Sequence, residues 1–147
     1  MKATIERELS VLIGLPLWAV GRAGSLEWFH FGGHHAVPDR RTQIKDVGDY
    51  ALHIDCPWSL ATSRYGEVIA SDESSREVLA ALDHLNLTCD EVIADEHGGF
   101  MLHFASGHCL DIVPDDDEAE EFWRLFEPHR DTPHFVVGSE GIEPREA

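Results

Sequence analysis

Residues Gly98 to Gly138 constrain the fold more than any other part of the chain. Phe100, Leu102 and Phe104 alternate with Met101 and His103, the period of a strand with one buried face. Leu110 and Ile112 follow after Ala105-Ser106-Gly107, which reads as a three-residue hairpin loop with Gly107 at the position of positive φ. An odd loop sets the register, with Phe100 opposite Ile112, Leu102 opposite Leu110 and His103 opposite Cys109. Pro114 ends the second strand, and Asp115-Asp116-Asp117 form an acidic turn. Ala119, Phe122, Trp123 and Phe126 recur at i, i+3, i+4 and i+7, which predicts a short amphipathic helix over roughly 117–126. Carboxylates at its start suit the positive end of a helix. His134 to Val137 predicts a closing strand. Hairpin, helix and strand together point to an α+β domain.

The upstream chain extends this reading. Ile5, Leu9, Leu12 and Ile13 share a helical face, so residues 4–13 predict an opening helix capped by Thr4 and stopped by Gly14 and Pro16. Leu26 to Phe31 predicts a strand with Leu26, Trp28 and His30 on one face and Glu27, Phe29 and Phe31 on the other. Residues 32–48 form a loop with a short strand near Thr42–Val47. Asp49 to Cys56 and Glu67 to Ala70 predict further strands. Ser74 and Glu77 have capping-box spacing and open a helix to about Leu85, before a strand over Glu91–Ala94. The expected architecture is one α+β domain over residues 1–138, with a mostly antiparallel sheet of about five to seven strands and two or three helices. Residues 139–147 read as a flexible C-terminal tail.

Composition narrows the function. The chain carries 11 basic and 28 acidic residues, a net charge of −17. Phosphate binding needs a basic stripe, so nucleic acid and anionic membrane are poor partners, whereas a basic protein would be attracted. Three widely spaced cysteines, Cys56, Cys89 and Cys109, give no disulfide framework. The start of the chain lacks the features of a signal peptide, and the expected location is cytoplasmic.

Ten histidines raise the question of metal. His30, His34 and His35 cluster in sequence, and His53 and Cys56 from a nearby strand would complete a zinc site if a loop folded them together. No paired-ligand doublet supports this, so the expectation is no cofactor, with zinc as the alternative. His103 opposite Cys109 has the composition of a nucleophile pair, but no oxyanion hole is evident. Asp111 to Glu121 holds seven acids in eleven residues without calcium-loop spacing. Phosphate loops, nucleophile elbows and dinucleotide fingerprints are absent from the sequence.

Residues 48–58, 100–115, 121–126 and 135–138 together resemble small uncharacterised bacterial proteins, and some similar families are regarded as immunity proteins of toxin systems. The resemblance implies a protein that neutralises a toxin by binding it, and it assigns no functional residue. The leading expectation is a non-catalytic acidic binding protein, not an enzyme. Asp115, Asp116, Asp117, Glu118 and Glu121 would engage a basic partner. The alternatives are a metal- or small-ligand-binding protein built on the His-rich loop, and a structural subunit of a homo-oligomer.

Overall fold

The structure, a computed structural model, describes residues 1–39, 41, 43–74, 78, 80, 83–115 and 120–144. An N-terminal helix, α1 (Lys2–Leu9), runs into a 3-10 turn at Ser10–Leu12. Met1 rather than Thr4 occupies the N-cap. Thirteen strands follow among the described residues: β1 (Leu17–Ala23), β2 (Leu26–Phe31), β3 (His35–Pro38), β4 (Ile44–Val47), β5 (Tyr50–Ile54), β6 (Trp58–Ala61), β7 (Val68–Ser71), β8 (Cys89–Ala94), β9 (Phe100–Phe104), β10 (Cys109–Ile112), β11 (Glu121–Phe126), β12 (Phe135–Gly138) and β13 (Gly141–Ile142). They form a six-stranded sheet in the order β1-β2-β5-β11-β12-β13, a five-stranded sheet in the order β7-β6-β10-β9-β8, and the separate hairpin β3-β4. All pairings between these strands are antiparallel.

The two large sheets share one core. Phe29 of β2 meets Trp58 of β6 edge-on at 5.3 Å between ring centroids. Phe100 of β9 meets Trp123 of β11 at 4.7 Å. Helix α1 contributes Ile5 and Leu9 to this core, and Glu6 Oε2 accepts the Ala94 N–H at 2.9 Å, which ties the helix to β8. At the sheet edges, Leu17 N–H donates to Leu87 O and Cys89 N–H to Leu15 O, joining the start of β1 to the start of β8.

The α+β expectation is therefore corrected to a mostly β architecture with one complete described helix. The central error is residues 117–126. Residues 116–119 lie outside the described set, and Glu121–Phe126 is a strand between β5 and β12. A register shift between Glu121 and Trp123 lets the neighbours Phe122 and Trp123 both be buried, and this doublet imitates helical spacing. Three aromatics in six residues also favour a pleated surface. Inside the sandwich the Trp123 indole N–H donates to Gly98 O at 2.7 Å, a bond that fixes β11 against the β8–β9 turn. The helix expected from Ser74 falls largely outside the described residues, Glu77 included, although Val78, Ala80, Asp83 and His84 are helical.

Other expectations hold. The β9–β10 register places Phe100 opposite Ile112, Leu102 opposite Leu110 and His103 opposite Cys109, and Gly107 has φ +91°. Phe29 and Phe31 face the core, and so does Glu27, which is 1% exposed. The tail expected over 139–147 is different: Gly141 and Ile142 pair back onto Gly138 and Val137 as β13, and residues 145–147 lie outside the described residues.

Candidate functional site

Two concave features stand out. The first lies at one end of the sandwich, where the β8–β9 turn, the β10–β11 connection and the β12–β13 hairpin meet. Asp95 builds the first turn. Its Oδ1 accepts the N–H groups of His97 at 2.7 Å and Gly99 at 2.9 Å, and Gly98 takes φ +91°. These segments enclose a cavity of about 740 Å³ lined by Asp95, Glu96, Asp115, Val113 and Phe122. It continues through Ser139 into a second hollow lined by Glu120, Glu140 and Glu143. Glu96 is engaged by the chain terminus, its Oε1 accepting Lys2 N–H at 3.0 Å. Among the described residues, no lysine or arginine forms an ion pair with Asp115, Glu120, Glu140 or Glu143. The result is an acidic groove with an apolar patch at Val113, which is 51% exposed.

Of the acids expected to bind a partner, Asp115 lines this groove. Asp116, Asp117 and Glu118 fall outside the described residues. Glu121 has a different role: both its carboxylate oxygens take the Arg124 guanidinium, with Nε at 2.8 Å from Oε2. That fork holds Glu121 on the sheet instead of leaving it for a partner. Asp95, Glu96, Glu140 and Glu143 were missed because they come from separate turns, and no local pattern in the sequence marks them as neighbours.

The second feature is the outer face of the six-stranded sheet beneath the β3–β4 hairpin, where the expected metal ligands lie apart. His34 Nδ1 sits 2.5 Å from Asp46 Oδ2, and its ring stacks on Trp18 at 3.7 Å. His35 Nε2 sits 2.7 Å from Asp49 Oδ1 and stacks on His129 at 3.7 Å. The His35 contact, helped by the Gly33 N–H, holds the Asp49 carboxyl below its ordinary range. His30 and His53 line one cavity. Burial lowers both imidazoles, aided by the positive charge of Lys45 for His30, and brings His53 to about 4. Cys56 packs against the core instead, and burial raises its thiol to about 12. Among the described residues, no three His, Cys, Asp or Glu side chains converge on a point where a metal ion would sit.

The His103–Cys109 pair forms, but not as a nucleophile and base. His103 Nδ1 is held 2.7 Å from Asp90 Oδ1, and burial pushes the Cys109 thiol up, away from the reactive thiolate.

A model for a family of unknown function matches residues 39–141. The chain belongs to this family, DUF6188. No curated protein and no solved structure matches it. The DUF6188 match begins after β3 and contains the acidic groove from Asp95 to Gly141 but not its Glu143, whereas Trp28 and His30 of the second cavity precede it. None of these findings connects the chain to immunity proteins. Among the described residues, no helix is long and apolar enough to cross a membrane.

Proposed function

We propose that this protein is a non-catalytic binding protein that engages a basic protein partner through the acidic groove. The observation that carries the reading is two adjoining hollows that share Ser139, one holding Asp115 beside Val113 and Phe122 and the other holding Glu120, Glu140 and Glu143, with no ion pair from a lysine or arginine to these four acids among the described residues. Like charges held together raise the local negative potential and steer a cationic surface toward the groove. Val113 and Phe122 supply the apolar centre that an interface needs for affinity, and the carboxylates supply the rim. The same potential repels phosphate, so neither nucleic acid nor an anionic membrane belongs to this reading.

Occlusion of a basic toxin is the specific form of the proposal that the sequence resemblance suggests. A cytoplasmic setting completes it, and three free thiols suit a reducing compartment. The test is affinity capture from cells with the wild-type protein and with a triple variant, Asp115→Lys, Glu120→Lys and Glu140→Lys. A basic protein retained by the first, lost from the second and released as salt rises is the expected result. Equal retention by both proteins would remove the groove from consideration.

A further inference from the structure

We infer that the cavity between the outer face of the six-stranded sheet and the β3–β4 hairpin binds a planar aromatic carboxylate. The sheet register builds the hollow. Residues directly opposite one another on antiparallel strands share a face. One outward row runs Gly21, Trp28, His53 and Arg124; the next runs Ala19, His30, Ala51 and Phe126. In the second row small residues alternate with rings, and beside Ala19 the hollow is bounded by Trp28, His30, His53 and Phe126. Gly21 is required there, because a Cβ would overlap the Trp28 indole. Val47 of the hairpin covers the face, and the enclosed volume is about 540 Å³, within the range of small-molecule sites.

The lining chemistry selects the ligand. Trp28 and Phe126 line the hollow; Phe126 stacks on His134 at 4.3 Å, and His53 meets it at right angles at 4.7 Å. His30 Nδ1 accepts the Gly48 N–H at 3.1 Å, which places the ring proton on Nε2 as a donor. Among the described residues, nothing accepts from that Nε2–H, and neither nitrogen of His53 has a hydrogen-bond partner. A purely apolar occupant would leave these groups unmet. Lys45 stands at the rim without an ion-pair partner among the described residues. Asp46, the acid beside it, is held by His34. A ring against Trp28 and Phe126, with its carboxylate toward Lys45 and the imidazole donors, meets the Lys45 charge, the His30 Nε2–H and the one N–H of His53. Screening over about 8 Å at physiological salt keeps the distant carboxylates from deciding the outcome.

The test is a titration of the full chain, followed by side-chain NMR of histidine and tryptophan, with benzoate, indole-3-acetate, indole and cyclohexylacetate. Saturable shifts confined to Trp28, His30 and His53 are expected with the two aromatic carboxylates, and weaker ones with indole or cyclohexylacetate. Lys45→Ala, an exposed change, should weaken indole-3-acetate about fivefold and leave indole unchanged. Phe126→Ala should weaken both. Absence of shifts at these residues up to about 10 mM of either aromatic carboxylate, equal binding of cyclohexylacetate, or an unchanged affinity in Lys45→Ala would overturn the proposal.

Discussion

Individual side chains decide this structure where a buried polar group has one partner. The Trp123 indole is fully buried and gives its N–H to Gly98 O. Trp123→Phe removes the donor and leaves that carbonyl unmet, so a loss of about 1–3 kcal/mol is expected in denaturant unfolding. The histidines of the outer face are decided by solvent exclusion. His53, lowered to about 4, should remain neutral at pH 5 in an NMR titration, whereas an imidazole at its ordinary value would already be mostly charged. A normal midpoint for His53 would show that the cavity admits bulk water. Burial also works on the thiols, raising Cys56 to about 12 and Cys89 to about 11. Cys89, fully buried, should react with a thiol reagent at neutral pH only as fast as the protein opens, and an immediate reaction there in the native state would contradict its placement, whereas half-buried Cys56 should react slowly because so little of it is thiolate. The alternation around Phe100 and the free state of the cysteines were legible from sequence at this scale. The pairing of Glu121 with Arg124 was not, because Glu121 was expected to engage a basic partner.

Among the elements, the β9–β10 hairpin shows what local sequence settles. Two short alternating runs, an odd loop and a glycine at the turn leave one register that buries Phe100, Leu102, Leu110 and Ile112 together. Gly107 at φ +91° has open space where a Cβ would go, so Gly107→Ala costs only backbone strain. The expected loss is about 1 kcal/mol with the hairpin intact, read from the unfolding midpoint. Strand β11 shows the opposite case. Glu121-Phe122-Trp123-Arg124-Leu125-Phe126 fits a helical stripe and a bulged strand almost equally, and the choice comes from pairing with β12, the next strand, and with β5, which is distant in sequence. The outer cavity was invisible for the same reason. Phe126 belongs to it only because β11 is a strand, and Lys45 only because the β3–β4 hairpin lies over β2 and β5.

For the whole molecule, the sign of its pH response follows from the shifted groups. His30, His53 and His134 have folded-state values below the ordinary one, so the folded chain binds fewer protons than the unfolded chain. Their contribution is complete above about pH 6.5 and declines as pH falls, for His53 until about 4. Glu6 and Asp49 are also lowered and lose their contribution at more acid pH, while Asp111, raised by burial, runs the other way. Thermal unfolding should therefore show a falling midpoint from neutral pH toward pH 4, and a flat profile would count against neutral burial of these imidazoles. The sequence by itself determined the properties that are local or additive: the net charge, the opening helix, most strands, the hairpin register and the lack of a cysteine framework. The tertiary structure alone decided that β11 is a strand, that carboxylates from separate turns share one groove, and that histidines adjacent in sequence find separate partners. The physical reason is the same in each case. Strand pairing and surface clustering depend on contacts between residues far apart in the chain, and the period of a short aromatic segment does not specify which neighbour it will meet.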